Sequence, residues 1–552
     1  MSGVQLVIAE KPSVAQSLAA VLGARKRGQG YLEGNGYLVS WCVGHLVGLA
    51  AADAYNPKYS RWCYEDLPII PEKWKYVVAP DKKEQYEALV SLMNRPDVES
   101  LVCATDAGRE GELIFRLVYD HGGCKKPFHR LWISSMEDTA IREGFAALRP
   151  GKDYDRLYEA ALCRAKADWL VGISGTRLFS SLYHKTLNVG RVMTPTLALV
   201  VEREAAISGF KKEKFYTVVL DCGKFTAVSG RCENRKAADH LAAVCLGQTA
   251  VVNKVEKKQK SAQPPKLYDL TSLQRDGNRL FGYTAQQVLD YAQALYEKKL
   301  LTYPRTDSNY LTEDMRDTLP GLCEVVISAL PFPVTVPGVD ASRVVDNSKV
   351  SDHHALLPTS QTAGADLSAL PAGERNLLTL VTVRLFCAVG EKQVYEDTEA
   401  EITCGSGLFT ARGRVIVSPG FTEVEQAFLS TLKKKPESDS REEPKALPPL
   451  SQGQTFEKVK AAAKEGATSP PRHFTEDLLL SAMEHASAQE FAQIGDVERT
   501  GLGTPATRAG VLEKLVRGGF LERKGRQLLP TKKGTDLIAV LPDTVKSASL
   551  TA

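Results

Sequence analysis

Short apolar runs that break off into charged loops set the rhythm of the first 120 or so residues. Gln5 to Ala9 is apolar and stops at Glu10-Lys11-Pro12-Ser13; Val14 to Leu22 then places apolar residues at helical spacing. Leu101 to Ala104 is a second such run. Asp106-Ala107-Gly108-Arg109-Glu110-Gly111-Glu112 follows it, and a helical pattern continues from Leu113 to Tyr119. Two strand–loop–helix units with acids at the strand ends predict an open, Rossmann-like α/β sheet. In such sheets ligands gather outside the carboxyl ends of the strands.

Later segments change character. Tyr154 to Leu178 is helical in pattern, rich in Ala and Leu with interspersed Arg. Phe215 to Val228 and Glu399 to Val417 alternate as strands do. Asn253 to Pro265 is Lys-rich, ends in a proline pair and is expected to be a connector. The charged, Pro-rich stretch Lys433 to Pro449 reads as a linker or exposed loop. Both are candidate hinge segments. Thr284-Ala285-Gln286-Gln287 has the capping-box pattern of a helix running through Leu295. Phe474 to Leu537 reads as helices with a short β-hairpin, close to a winged-helix pattern.

At 552 residues the chain is too long for one core, and three or four domains are expected. Hydrophobic content of 43% and charged content of 25% are those of a soluble globular protein. A net charge of +4 does not by itself announce nucleic acid. From Glu498 to Lys533, however, nine Arg or Lys face three Glu. The eleven cysteines include no CxxC pair, which argues against zinc and a disulfide framework and fits a cytoplasmic chain. No signal peptide or membrane span is expected, and no GxxxxGK[ST] loop points to an ATP-driven motor.

Two constellations carry chemistry. Asp106, Glu110 and Glu112 lie within seven residues, with Glu10 at another strand end. Mg²⁺ is held by one or two such carboxylates together with waters and phosphate. Lys11 would set a cation where a leaving oxygen develops charge. The second constellation is Thr302-Tyr303-Pro304-Arg305-Thr306-Asp307-Ser308. Proline pushes Tyr303 toward extended geometry, in a turn that can hold the phenol out of the packed core. A phenol with a pKa of about 10 is a poor nucleophile until something polarises it. Arg305 can fork onto a phosphate. Tyrosine, arginine and phosphate together suggest a covalent phosphotyrosine enzyme.

At this point the chain resembles the type IA DNA topoisomerases, and among them the bacterial topoisomerase III group. The matching segments run in family order. They are Val7 to Ser13, Ala104 to Glu112, Gly190-Arg191-Val192-Met193-Thr194-Pro195-Thr196, Leu267 to Thr271, Leu301 to Ser308, His353 to Thr359, and Gly501 to Arg508. The resemblance implies a multidomain α/β and α+β protein whose Toprim domain and three further domains form a toroidal ring with a central hole. The Toprim domain would span 1–150. A helical, winged-helix-like strand-binding domain would combine 151–214 with 470–552, and a β-rich hinge or arch would combine 215–275 with 400–469. A helical domain over 276–399 would carry the tyrosine.

By the same resemblance Tyr303 is the nucleophile that takes the 5′-phosphoryl end. Glu10, Asp106 and Glu110 are the metal and acid–base carboxylates. Lys11, Arg305 and His353 support the phosphate, while Arg109, Arg191, Thr194, Thr504, Thr507 and Arg508 bind the strand. Mg²⁺ is the implied cofactor, with neither ATP nor zinc. The implied partner is single-stranded DNA within supercoiled or catenated DNA, acted on by a monomer on the nucleoid or on plasmids. Two positions depart from the family pattern. Many relatives carry an acid where Gly108 stands, which puts a second metal position in doubt, and Gln where Met193 stands. The chain stops at Ala552 without cysteine-rich zinc modules, and Leu541-Pro542-Asp543 looks like the lead-in to a further segment. Two other functions share parts of these motifs. A Toprim metal nuclease would use Glu10, Asp106 and Glu110 without Tyr303, and a non-catalytic single-strand binder would keep the ring alone.

Overall fold

The Val4–Ala9 strand goes from half-exposed to fully buried along its length, because both its faces are covered by helices. Its neighbours on both sides, Tyr37–Trp41 and Val98–Ala104, run parallel to it, with Ile8 opposite Ser40 on one side and Cys103 on the other. A parallel strand needs a crossover connection. After the first strand the Pro12–Leu22 helix begins at once, with proline in its first turn, where no intrahelical N–H is lost. After the Val98–Ala104 strand the 105–108 loop leads into the Arg109–His121 helix. Glu10 and Asp106 thus sit at the carboxyl ends of adjacent central strands. The computed structural model describes residues 3–334, 338–350, 353–432, 445–486 and 501–548.

Seven strands make this first sheet, in the order Lys26–Gly28, Tyr31–Gly34, Tyr37–Trp41, Val4–Ala9, Val98–Ala104, Phe128–Arg130 and Arg149–Pro150. A second seven-stranded sheet is antiparallel. Its spine is Ala250–Ala262, Gln393–Cys404 and Gly407–Ser418, the first two paired from Ala250–Cys404 to Ala262–Gln393. The expected connector from Asn253 to Pro265 is therefore mostly strand. Lys254, Lys257, Lys258 and Lys260 lie exposed along it and pair with Glu256, Glu396 and Asp397. A ribbon solvated on both faces has no apolar alternation to betray it. The Lys433–Pro449 linker lies largely outside the described residues.

Two helical cores complete the molecule. One packs Leu187 to Val200 with Phe474, Leu479, Leu512, Phe520 and Leu537, and contains helices and the Leu521–Lys524/Gln527–Pro530 hairpin of the stretch read from Phe474 to Leu537, of which 487–500 lie outside the described residues. The other extends from Leu267 to Phe428. Its Ala285–Glu297 helix opens on the predicted capping box, with Thr284 Oγ1 accepting from Gln287 N. The Leu270–Phe281 helix and the Gln393–Cys404 strand run across the boundaries read at 275 and 400.

Contacts between these parts close the chain on itself. Trp169 and Arg177, on the Asp155–Tyr183 helix, donate to carbonyls of Ala50 and Tyr59 in the N-terminal α/β part. The helical core that holds Tyr303 meets the other helical core through Arg275–Asp477 at 2.9 Å and Arg508–Thr271 at 2.8 Å. It meets the N-terminal α/β part through Lys299–Asp138 and Ser360–Glu137. Tyr296 and Tyr303 belong to the same apolar cluster as Val7, Ala9 and Leu18 of the N-terminal α/β part. Among the described residues no helix is long and apolar enough to cross a membrane.

Candidate active site

The loop that follows Ala104 is shaped by an arginine that carries no signal in the sequence. Arg130 is fully buried and donates to the carbonyls of Cys103, Thr105, Leu131 and Asp106. Its charge is met by Glu112, whose Oε2 lies 3.1 Å from Arg130 Nε as an ion pair rather than an aligned hydrogen bond. Glu112 also holds Arg116 at 2.8 Å. Glu112 is thus the counter-ion of the loop's scaffold and not a metal ligand. The helical phase explains the swap: two residues beyond Glu110, it faces the core. Gly111 is required by close approach, since a Cβ there would lie 2.0 Å from the Asp106 carbonyl oxygen.

The loop borders a cavity of about 540 Å³ whose wall includes Glu10, Asp106, Glu110, Tyr303, Arg305 and His353. Arg109, Thr504 and Thr507 line it as well. Sequence elements from Glu10 to Thr507 thus face one space. Tyr303 hangs from the Toprim side by its backbone, with its N–H donating to Ser134 O at 2.9 Å. Its hydroxyl donates to Asp106 Oδ2 at 3.2 Å. The ring is 5% exposed and meets Tyr296 edge-on at 5.4 Å and His353 at 4.4 Å. The turn does not hold the phenol out of the core as expected; it inserts it into the Toprim interface. Burial and the Asp106 charge push the phenol's pKa well above its usual value, against the pull of Arg305.

Glu10 is buried, and its Oε2 has no hydrogen-bond partner. Burial, then the neighbouring Asp106 charge, raises its pKa to about 7, while Arg305 and Lys11 pull the other way. Glu110 is more exposed and lies 2.5 Å from His45 Nε2, a hydrogen bond that lowers its pKa. His45 lines the same cavity and carries no signal in the sequence beyond being a histidine near a strand end. Arg305 Nε is buried without a hydrogen-bond partner. Although burial opposes its charge, Tyr303, Asp106, Glu10 and Glu110 outweigh it and raise its pKa. His353 is buried and its pKa falls to about 4, chiefly through that burial. It is therefore neutral at physiological pH, not a standing cation beside a phosphate.

Four predicted residues lie elsewhere. Lys11 pairs with Glu297 at 3.5 Å and does not line the cavity, although its charge acts on Glu10. Thr194 is buried and its hydroxyl accepts from Gly190 N, so it shapes the start of its helix and is not a strand-facing surface. Arg508 is 2% exposed and donates to Leu502 O and Thr271 Oγ1, joining two cores instead of facing solvent. Arg191 pairs with Asp168, which itself lines the cavity. Thr504 and Thr507 form a capping box at the mouth, where the Pro505–Arg517 helix begins.

The donor set suits a hard cation. Two neighbouring carboxylates, Glu10 and Asp106, repel each other, and one oxygen is buried and unpartnered. Among the described residues no three His, Cys, Asp or Glu side chains group closely enough to hold an ion. Such a site fits a cation that draws the rest of its shell from phosphate and water. Gly108 has φ 156°, and a Cβ placed on it would meet no atom within 4 Å, so space exists there but no carboxylate.

A sheet with acids at its switch point, a tyrosine delivered from a separate core and a closed chain together define a class. Residues 152–552 match the family described as DNA topoisomerase, and residues 5–136 match the Toprim domain. DNA topoisomerase 3 of Bacillus subtilis (strain 168) is 40% identical over 565 residues, which cover 99% of this chain and 77% of that protein. DNA topoisomerase 3 of Bacillus licheniformis is 40% identical over 571 residues, with the same coverage. In fold the chain is similar to full-length topoisomerase I from Thermotoga maritima, with a TM-score of 0.75 at 22% identity over 99% of this chain and 84% of that one. The chain belongs to the type IA DNA topoisomerases, with the Toprim domain and ring fold of that class.

Proposed function

We propose that this chain cleaves one strand of DNA through a 5′-phosphotyrosine on Tyr303, passes another strand through the gap and reseals, without ATP. The observation that carries this is the meeting of Tyr303 with Asp106 and Glu10 in one cavity. A Toprim nuclease has no use for that tyrosine. The substrate is single-stranded DNA within negatively supercoiled or catenated DNA, and the products are relaxed or unlinked circles. The chain acts as a monomer in the bacterial cytoplasm.

The Tyr303 oxygen attacks phosphorus, forming the tyrosyl ester as the bond to the 3′ oxygen breaks. The energy of one ester is kept in the other, and an aryl oxide leaves readily, so resealing needs no nucleotide. Asp106, already hydrogen-bonded to the phenol, is placed to take its proton. Glu10, with a pKa of about 7, is placed to hold a proton for the departing 3′ oxygen. Arg305, which lines the cavity, is placed to meet the charge on the phosphoryl oxygens. In the closed state the high pKa of Tyr303 keeps it dormant until a phosphate arrives. Mg²⁺ held by Asp106 beside Glu10 would offset the carboxylate repulsion and hold a neighbouring phosphate in register.

Arg109, Glu110 with His45, and the Thr504–Thr507 cap border the path of the strand. A helix N-terminus presents free N–H groups suited to a phosphate. Plasmid relaxation and decatenation with Mg²⁺ and no ATP test this reading. Activity that requires ATP, or nicked product free of protein, would defeat it.

A further inference from the structure

Ser134 lies on the Toprim side of the interface, just beyond the Phe128–Arg130 strand. It touches both reactive rings of the opposite core. Its carbonyl accepts from Tyr303 N at 2.9 Å, and its Oγ lies 2.9 Å from His353 Nδ1. The other ring nitrogen, His353 Nε2, is held against the Ala107 carbonyl. A carbonyl only accepts, so Nε2 carries the proton. Nδ1 is then the acceptor, and Ser134 Oγ–H is the donor that completes it. Trp132 stacks on the outer side of the imidazole at 6.2 Å, so the ring has little freedom to turn.

We propose that Ser134 is a positioning residue that fixes the His353 tautomer and the Tyr303 backbone together, and does so only while the tyrosine-bearing core is seated on the Toprim sheet. Both contacts cross the same interface, so both are lost when that interface opens. The N–H of His353 is then aimed by closure, ready to leave the Ala107 carbonyl for a phosphoryl oxygen. Cleavage and resealing are thereby restricted to the closed gate. This rests on Tyr303 being the nucleophile.

The test uses the full chain as wild type, Ser134→Ala, Ser134→Thr and Tyr303→Phe. The readout is single-turnover cleavage of an end-labelled single-stranded oligonucleotide with Mg²⁺ over a range of protein concentrations. Ser134→Ala should slow cleavage about tenfold to a hundredfold, the usual loss when an orienting partner is removed. Its half-saturating concentration should stay within about twofold of wild type, and Ser134→Thr should recover most of the rate. Spectra of ¹⁵N-histidine-labelled protein should show an Nε2-protonated His353 whose Nδ1 resonance moves in Ser134→Ala. Wild-type cleavage by Ser134→Ala, or equal losses in the alanine and threonine variants, overturns the proposal. If Tyr303→Phe still cleaves, the nucleophile assignment fails instead, and that outcome is read separately.

Discussion

The hydroxyl of Tyr303 lies 3.2 Å from Oδ2 of Asp106, although 197 positions separate the two residues in the chain. That contact joins the proposed nucleophile to a carboxylate across the interface between the tyrosine-bearing core and the Toprim domain. The phenol is buried beside an anion, which disfavours the phenolate.

Glu10 gives a pH-dependent signature. Its folded-state pKa is raised from 4.5 to about 7, so its stabilising contribution is full below pH 4.5 and lost as pH rises through 7. Glu10→Gln removes that loss. Without divalent cation, the variant should gain thermal stability relative to wild type as pH goes from 5 to 8, by up to about 3 kcal/mol at about 1.4 kcal/mol per pKa unit. Mg²⁺ should then raise the wild-type melting temperature at pH 8 and leave Glu10→Gln nearly unmoved. A pH-independent gap between the two proteins would remove the argument for an electrostatically frustrated pair.

His353 titrates with the opposite sign. Its folded-state pKa is depressed to about 4, so its contribution is present above pH 6.5 and lost as pH falls toward 4. Between those values the native imidazole stays neutral while the opened chain takes up a proton, so falling pH favours the open form and the interface should loosen. Protease susceptibility around the tyrosine-bearing core should rise below pH 6 in wild type and much less in His353→Gln. Equal sensitivity in both proteins would place the acid lability elsewhere.

Glu112 and Arg508 are expected to fail as structure rather than as ligands. Removing one partner of a buried ion pair costs about 3–5 kcal/mol, so Glu112→Ala should destabilise the Toprim part before any change in Mg²⁺ affinity is measurable. Arg508→Ala should lower the melting temperature by leaving Thr271 Oγ1 and Leu502 O without their donor, about 1–3 kcal/mol per buried group. Its affinity for a single-stranded oligonucleotide should stay within about threefold. A folded, stable Arg508→Ala that no longer binds the strand would restore it to the binding surface.

The parts legible in the sequence share a physical reason. Glu10 and Asp106 stand where apolar strands end, Thr284 opens a capping box and Tyr303 precedes a proline; each is a local signal with a local cause. Residues that work through distant partners give none. His45 matters because it meets Glu110, and Ser134 because it meets His353 and Tyr303, contacts that exist only after folding. Glu112 misleads because spacing along the chain does not say which way a helix turns. The Ala250–Ala262 strand passes for a connector because lysines paired across a solvated ribbon look like those of a linker. Thr194 and Arg508 lie in motifs that match the family, yet their side chains are buried. A matched motif contains scaffold as well as surface.

The most direct measurement is the identity of the covalent bond. A single-stranded oligonucleotide labelled at either end is incubated with the protein and Mg²⁺, quenched with denaturant and digested for mass spectrometry. The account predicts one adduct, on Tyr303, joined to a 5′ phosphate, with a free 3′ hydroxyl on the other fragment and no adduct in Tyr303→Phe. An adduct on another residue, a 3′-phosphoryl linkage, or cleavage without any protein–DNA bond would contradict it.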